Sequence, residues 1–191
     1  MTECICVFGA SSERAEQKYK DAAYRMGEII AKNGASMIFG AGARGLMGAA
    51  ARGMHDVGGK IIGVIPKRLH QPGIAFEFCD ELLVTPTMNE RKAIMEQRAD
   101  AFITLPGGLG TLEELLEVLT LKQLGYIDVP IVILNISGYY DDQLAMIRRC
   151  ISENFMDDVY INMFFVADTP EAAMEYIKGY VPQNLPNKIE R

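Results

Sequence analysis

The chain has 191 residues, 49% of which are hydrophobic, and a net charge of −6. This length and composition fit a single domain with a large apolar core. A protein that binds duplex nucleic acid would carry a basic face, which this acidic chain lacks, whereas a small anion needs only a locally positive site. No apolar run is long enough to cross a bilayer, and the first residues have no signal-peptide pattern. We therefore expect neither a nucleic-acid partner nor a membrane partner.

The four cysteines and two histidines argue against several kinds of site. Cys4 and Cys6 lie two apart in a predicted strand, which is poor geometry for a disulfide, and CxxC spacing is absent. With His55 and His70 as the only histidines, a zinc site or a histidine-based triad is not expected. These features predict reduced thiols, no metal site and a cytoplasmic protein.

Strand and helix patterns alternate along the chain. In chain order, the predicted elements are strand 4–8, a helix through 19–30 that closes at 33–34, strand 36–39, a glycine-rich turn over 40–48 with a helix to about 57, strand 60–65, a loop over 67–80, strand 81–85, helix 88–98, strand 101–105, helix 111–124, strand 129–135, helix 140–155, strand 164–167 and helix 170–178. We expect one domain over 1–180 and a polar, disordered tail over 181–191.

This alternation is typical of an α/β fold. It predicts a mostly parallel sheet between two layers of helices, in a three-layer α/β/α arrangement. Ligands of such folds bind beyond the carboxyl ends of the strands. Both glycine-rich turns of the chain fall at that edge.

The first glycine turn, named first although it comes later in the chain, belongs to the segment 106–114, Pro-Gly-Gly-Leu-Gly-Thr-Leu-Glu-Glu. This segment joins a strand to a helix. Glycine lets a ligand approach the backbone closely, and a helix N-terminus offers unpaired N–H groups and a positive dipole end. We therefore predict a phosphate site at Gly107, Gly108, Gly110 and Thr111.

The second turn, Gly-Ala-Gly-Ala-Arg-Gly at 40–45, matches GxGxxG after a strand. A dinucleotide site would also need an acidic residue at the end of the next strand, and 60–66 has none, which disfavours NAD. The turn is then either a tight turn with close helix packing or a wall for a nucleotide or sugar that includes Gly42. Ser11 and Ser12, after the first strand, either contact a phosphate or base, or cap a helix or lie in a polar loop.

Two possible capping boxes bear on the charged candidates. Thr111 and Glu114 have this spacing, so Glu114 is either a helix cap or a catalytic carboxylate. Residues 87–90 have it too, which places Arg91 and Lys92 near the start of a helix, where cations are unfavourable. Anion binding explains two such cations better than helix stability does, and a surface pair is the alternative.

Two motifs give the chain a resemblance to a known family. The segment 106–114 fits PGGxGTxxE, and 88–92, Met-Asn-Glu-Arg-Lys, fits the M-x-x-R-K element. From its first strand to about Phe155 the chain resembles the LOG ("Lonely guy") family of cytokinin riboside 5′-monophosphate phosphoribohydrolases. That family includes members labelled as possible lysine decarboxylases.

The resemblance implies a Rossmann-like fold and a homodimer, or a multiple of it, with active sites at the interface. It implies cleavage of the N-glycosidic bond of a nucleoside 5′-monophosphate, such as AMP or N6-substituted AMP, to free base and ribose 5-phosphate without a cofactor. The family's catalytic arginine falls on Arg91, with Lys92 beside it as a binding residue, and its motif glutamate falls on Glu114. Its phosphate turn falls on 107–111, and Thr120 matches a position that lines the pocket.

Three departures from the family's pattern leave the base preference open. Asn89 stands where a histidine is common, 40–44 reads Gly-Ala-Gly-Ala-Arg where relatives have more glycines and an asparagine, and 9–12 reads Gly-Ala-Ser-Ser rather than Cys-Gly-Ser-Ser.

Two other functions remain as alternatives. One is a non-catalytic carrier of a nucleotide or phospho-ligand on the same fold. The other is a pyridoxal-phosphate decarboxylase, for which no local pattern marks a Schiff-base lysine.

Overall fold

The computed structural model describes residues 3–183. Its strands are β1 Cys4–Phe8, β2 Ser36–Phe39, β3 Ile61–Pro66, β4 Glu81–Thr85, β5 Ala101–Thr104, β6 Ile131–Leu134 and β7 Phe165–Ala167. They form one parallel sheet in the order β4-β3-β2-β1-β5-β6-β7. Ile5 of β1 pairs with Met37 on one side and Ala101 on the other, so β1 lies in the middle of the sheet.

Helices cover both faces of the sheet. They are α1 Gln17–Lys32, α2 Gly45–Asp56, α3 Met88–Arg98, α4 Leu109–Gln123, α5 Asp141–Ser152 and α6 Pro170–Gly179. Apolar side chains of α1, α2 and α6 pack with Ile5 and Val7 of β1, and those of α3, α4 and α5 pack with Cys6 and Phe8. Side chains of a strand point alternately to the two faces, which explains this division. The predicted three-layer α/β/α fold is confirmed.

The order of the strands creates a crevice at the carboxyl edge. From β1 the chain builds outward through β2 and β3 to the edge strand β4, and α3 then returns it to β5 on the other side of β1. The loops that follow β1 and β5 meet there, and the Ala10 N–H donates to the Pro106 carbonyl over 3.1 Å. In open parallel sheets, ligands bind at such a reversal of strand order.

One predicted boundary was wrong in a way that affects the site. Helix α4 begins at Leu109, two residues before the predicted start at Thr111, and its N-cap is Gly108. The other predicted elements are present with ends shifted by a few residues; the helix predicted over 140–155, for example, is Asp141–Ser152. The predicted loop over 67–80 contains no helix or strand, and a single bridge between Gly42 and Ala75 ties it to the second glycine turn.

The remaining predictions about the chain concern its thiols and termini. All four cysteines are free thiols, as predicted. Within residues 3–183, none of the helices has the length and apolar content needed to cross a membrane. Most of the predicted tail, residues 184–191, lies outside the described residues.

Candidate functional site

A cleft of about 960 Å³ opens at the carboxyl edge of the sheet. Its walls come from the loop after β1, the glycine turn after β2, the end of β3 and the loop that follows, and the first turns of α3 and α4. The predicted site residues that line it are Ser11, Gly42, Arg91, Gly108, Gly110, Thr111 and Glu114. Three further predicted residues, Lys92, Gly107 and Thr120, do not line it.

Arg91 projects from the first turn of α3 into the floor of the cleft and is 8% exposed. Its Nε donates to the Val64 carbonyl over 3.2 Å, and its Nη1 donates to Glu114 Oε1 over 2.9 Å. A Cβ atom at Gly40 would lie 2.0 Å from Arg91 Nη2. The first glycine of the GxGxxG turn therefore makes room for the guanidinium, which gives this turn a role in the site without a dinucleotide.

Glu114 is the partner of Arg91 and is equally buried. Burial raises the pKa of its carboxyl above the usual value for glutamate, and the adjacent Arg91 charge opposes that rise. The predicted capping box was wrong, because α4 begins at Leu109 and Thr111 does not cap it. With the helix start two residues earlier, the Glu114 side chain turns to Arg91 across the gap between α3 and α4.

The start of α4 offers backbone N–H groups to the cleft. Gly108 has no side chain with which to cap the helix, and the N–H groups of Leu109 and Gly110 have no acceptor within residues 3–183. Gly107 lies beneath this turn, where a Cβ atom would lie only 2.1 Å from Thr111 Oγ1. The turn thus combines free donors, a positive dipole end and space for an anion.

The first N–H groups of α2, after the second glycine turn, already have acceptors within the chain. The Gly45 N–H donates to Glu13 Oε1 over 2.9 Å, and the Leu46 and Met47 N–H groups donate to the Ala10 carbonyl. Gly45 has a φ of +60°, and a Cβ atom there would lie 2.5 Å from that carbonyl oxygen. This part of the turn fits the tight-turn interpretation, while Gly40 and Gly42 line the cleft as a wall. Because the Gly45 N–H donates to Glu13, this N–H at the start of α2 is not free for the phosphate of a dinucleotide.

The remaining predicted residues have different surroundings. Lys92 forms ion pairs with Glu113 and with Glu117, which balance its charge beside the cleft rather than in it. Thr120 is exposed on α4, nine residues beyond Thr111, and its hydroxyl donates to the Leu116 carbonyl. Lys92 and Thr120 therefore remain proposed binding residues on the family pattern alone, because neither lines the cleft.

Ser11 and Ser12 lie in the loop before α1, and both line the cleft. Helix α1 begins at Gln17 with Glu16 as its N-cap, so neither serine caps it. Of the two alternatives to ligand binding, only a polar loop remains.

The sequence did not predict most of the apolar wall. Met47, Leu69, Ile74 and Met88 line the cleft, and Arg44 is an additional exposed cation there. Residues 67–80 have no periodic pattern, so no local signal marks Leu69 and Ile74 as lining residues. They reach the cleft because the Ala43 N–H donates to the Ile74 carbonyl over 2.9 Å.

Comparisons with known proteins show the family to which the chain belongs. A family model described as "Possible lysine decarboxylase" matches residues 47–177. A probable cytokinin riboside 5′-monophosphate phosphoribohydrolase of Arabidopsis thaliana is 41% identical over 180 residues, which are 94% of this chain and 90% of the relative. The cytokinin riboside 5′-monophosphate phosphoribohydrolase LOG of Oryza sativa subsp. japonica is 40% identical over 179 residues, which are 94% of this chain and 74% of the relative.

Among solved structures, the molybdenum cofactor binding protein of the phototrophic bacterium Rippkaea orientalis superimposes with a TM-score of 0.70 at 25% identity, over 93% of this chain and 96% of that chain. It shares the fold, whereas the two plant relatives match the chain more closely in sequence. On the family model and these relatives, the chain belongs to the LOG family of cytokinin riboside 5′-monophosphate phosphoribohydrolases.

Proposed function

We propose that this chain hydrolyses the N-glycosidic bond of a nucleoside 5′-monophosphate, such as AMP or N6-substituted AMP, to free base and ribose 5-phosphate. The observation that carries the proposal is the buried pair of Arg91 and Glu114 beside the uncapped start of α4, in one cleft. The names of the relatives support the same class of reaction.

The start of α4 would hold the 5′-phosphate. The free N–H groups of Leu109 and Gly110 are charge-assisted donors to a phosphate oxygen, and Gly108 leaves room for it. Binding energy gained at the phosphate, remote from the bond that breaks, positions the sugar for reaction. The negative charge of the chain as a whole does not oppose this. The charges of Arg44 and Arg91 in the cleft balance those of Glu113 and Glu114, and the start of α4 adds free N–H groups and the positive end of the helix dipole.

Glu114 would act on the sugar. As the C1′–N bond breaks, its electron pair leaves with the base and positive charge builds on the ribose. The Glu114 carboxylate stabilises that charge, or takes a proton from the water whose oxygen bonds to C1′, and the departing base takes up a proton in turn. The Arg91 charge lowers the pKa of the Glu114 carboxyl against the rise caused by burial, which favours the ionised form. Arg91 also aims the carboxylate, because the guanidinium is itself held by the Val64 carbonyl.

The apolar wall would face the base. Met47, Leu69 and Ile74 offer an apolar surface on which an aromatic ring can lie. Because Leu69 and Ile74 belong to an irregular loop, this wall is a part of the site in which relatives can differ most readily.

The two alternatives are weaker. A carrier of a phospho-ligand would use the same turns but has no need of a buried carboxylate beside them. The Rippkaea orientalis protein, whose name says that it binds the molybdenum cofactor, shares the fold. A pyridoxal-phosphate decarboxylase needs a lysine in the cleft. No lysine lines the cleft in the part of the chain that the structure describes.

The proposal is tested with pure protein, AMP, N6-substituted AMP and the matching nucleosides, with released base as the readout. We expect hydrolysis of one or more of the monophosphates, and rates at least about a hundredfold lower for the nucleosides, since the phosphate contacts are lost. Equal rates on a nucleoside and its monophosphate would remove the phosphate assignment. Tight binding of a monophosphate without any released base would favour the carrier.

A further inference from the structure

Tyr139 holds the phosphate turn from outside the cleft. Its hydroxyl donates to the Gly107 carbonyl over 2.6 Å, and its side chain is not among those that line the cleft. Tyr139 lies 32 residues beyond the turn, in the loop between β6 and α5. The proposed function gives it no role.

The hydrogen bond fixes the direction of one peptide group. The Gly107–Gly108 peptide is trans, because residues 3–183 contain no cis peptide. In a trans peptide, the carbonyl and the following N–H point in opposite directions. A carbonyl held by Tyr139 therefore directs the Gly108 N–H to the other side, and Gly108 lines the cleft.

This peptide needs such a restraint because glycine lies on both of its sides. Glycine visits regions of φ and ψ that other residues avoid, so a peptide between two glycines can rotate at little cost. Without an anchor, the Gly108 N–H would sample directions away from the ligand. One hydroxyl on the carbonyl selects a single direction before the ligand arrives.

Tyr139 is itself held by a constrained loop. Ser137, with φ of +55°, and Gly138, with φ of +71°, both have left-handed backbone conformations. Asn135 closes the loop, because its Nδ2 donates to Asp141 Oδ1 over 2.8 Å and its Oδ1 accepts from the Tyr140 N–H over 2.7 Å. A left-handed serine costs energy and persists only where its surroundings fix it. The loop thus presents Tyr139 in a defined place.

Neighbouring rings complete the arrangement. The Tyr139 ring makes edge-to-face contacts with Tyr19 at 5.7 Å and with Tyr140 at 5.0 Å between centroids. The Tyr140 hydroxyl donates to the Leu105 carbonyl over 2.7 Å. Tyr140 therefore bonds to Leu105, ahead of the segment 106–114, and of the two tyrosines only Tyr139 bonds to a carbonyl within that segment.

We propose that Tyr139 is a positioning residue for the substrate's 5′-phosphate, acting through the Gly107–Gly108 peptide. This inference rests on the proposed function, because it assumes that the phosphate binds at the start of α4. It predicts that removing one hydroxyl outside the cleft weakens binding of the phosphate-bearing part of the substrate and leaves the base side unaffected.

The experiment compares Tyr139→Phe with the parent chain, with Tyr19→Phe and Tyr140→Phe as matched controls. Tyr19→Phe keeps the ring contact on Tyr139, and Tyr140→Phe removes the neighbouring hydrogen bond to Leu105. Five quantities are measured for each: the melting temperature, the Kd of ribose 5-phosphate by calorimetry, and, in the hydrolysis assay, the kcat and KM of the monophosphate and the inhibition constant of the free base.

For Tyr139→Phe we expect the Kd of ribose 5-phosphate and the KM of the monophosphate to rise about tenfold, since one charge-assisted donor is misdirected. The kcat should stay within about twofold, and the inhibition constant of the base should not change. The melting temperature should stay near that of the parent, because Tyr139 is half-exposed. Tyr140→Phe should lower the melting temperature and leave the Kd unchanged.

The outcomes separate the two proposals. If the parent binds ribose 5-phosphate and Tyr139→Phe binds it equally well, the inference is wrong and the proposed function stands. A variant that loses stability and loses affinity for base and ribose 5-phosphate alike has a structural defect, which also overturns the inference. A parent that neither binds ribose 5-phosphate nor hydrolyses a monophosphate would overturn the proposed function and the inference with it. If the parent hydrolyses a monophosphate but binds ribose 5-phosphate too weakly for calorimetry, an unchanged KM in Tyr139→Phe overturns the inference alone.

Discussion

The Arg91 guanidinium and the Glu114 carboxylate form a buried ion pair, with 2.9 Å between Nη1 and Oε1. The pair joins the first turn of α3 to α4 in the cleft. A buried charge pair is seldom the most stabilising choice for a pair of positions, because both ions lose their hydration. Its presence in a cleft, beside an open helix N-terminus, supports a role in chemistry more than a role in stability.

The first prediction separates the charge of Glu114 from its shape. In Glu114→Gln, the amide oxygen can still accept from Arg91, so we expect the free energy of unfolding to fall by only about 1–2 kcal/mol. Turnover should fall on the order of a hundredfold or more, because the negative charge near the ribose is gone. Melting curves and steady-state rates check both, with the exposed Glu175→Gln on α6 as the control. Near-parental turnover in a folded Glu114→Gln variant would contradict the assignment.

The second prediction concerns the shape of the cation at position 91. Arg91→Lys keeps the charge but loses the planar group that reaches Val64 and Glu114 together. We expect turnover to fall at least about tenfold with the fold retained. Arg98→Lys is a matched control on the same helix, where the arginine makes a two-point contact with Glu81 at the surface. Equal activity of the two variants would reduce Arg91 to a structural cation.

The third prediction uses the glycine beneath Arg91. A Cβ atom at Gly40 meets the far end of a flexible side chain, so Gly40→Ala should fold with nearly parental stability. The guanidinium must move, however, and we expect kcat/KM to fall about tenfold or more as its contact with Glu114 changes. Gly179→Ala, where a Cβ atom meets nothing, serves as the control. Unchanged kcat/KM in Gly40→Ala would show that the position of Arg91 is not critical.

The fourth prediction concerns pH and Glu96, which lies on α3 beside Glu117. Burial and the Glu117 charge raise the pKa of Glu96 to about 7 from a usual value of 4.5. Between pH 4.5 and about pH 7, the folded chain therefore keeps a proton on Glu96 that the unfolded chain has released. The contribution of Glu96 to the free energy of unfolding is greatest below pH 4.5 and is lost as the pH rises to about 7. Glu96→Gln cannot titrate at this position. From pH 5 to pH 8, the difference in free energy of unfolding between this variant and the parent should therefore change in favour of the variant by roughly 1–2 kcal/mol.

Urea unfolding of the parent and of Glu96→Gln at both pH values measures this difference. Glu175→Gln, on an exposed face of α6, corrects for the general effect of removing one negative charge. A constant difference between parent and Glu96→Gln at the two pH values would contradict the raised pKa.

The fifth prediction is the homodimer that the family resemblance implies. Leu109 and Met88 both line the cleft, and they are 87% and 44% exposed. Apolar side chains exposed around a site suit a surface that a second copy covers. Light scattering at micromolar concentration should give twice the chain mass of 21.1 kDa, or a multiple of it, and Leu109→Glu should shift the mass toward 21.1 kDa. A fully active monomer would contradict the prediction.

Hydrophobic periodicity predicted the layers and the edge of the sheet at which the cleft lies, because those depend on which residues each element buries. The start of α3 after Thr87 was also predicted. Thr87 is the N-cap of this helix, and its hydroxyl accepts from the Glu90 N–H. Local spacing could not assign Glu114 in the same way. A threonine three residues before a glutamate fits a cap or a catalytic group equally well, and the partner that decides between them, Arg91, lies 23 residues away.

Glu13 and Tyr139 were not predicted for the same physical reason. Glu13 closes the start of α2 across 32 residues, and Tyr139 reaches the phosphate turn across another 32. Neither position has a local motif, since its role exists only after the sheet brings separate loops together. Contacts of this kind follow from packing, which spacing along the chain does not encode.

The cleft is assembled from five separate stretches of the chain between Gly9 and Glu114, and β7 and α6 contribute nothing to it. A ligand that needs all five stretches binds only when the cleft is complete. It therefore lowers the population of every partly unfolded form in which one of these stretches has opened. Amide hydrogens of β1, β2 and α4 should therefore exchange with solvent more slowly when ribose 5-phosphate is bound. At a ligand concentration a hundred times Kd, the slowing should reach about a hundredfold. Amides of β7 and α6 that open independently of the cleft should keep their rates.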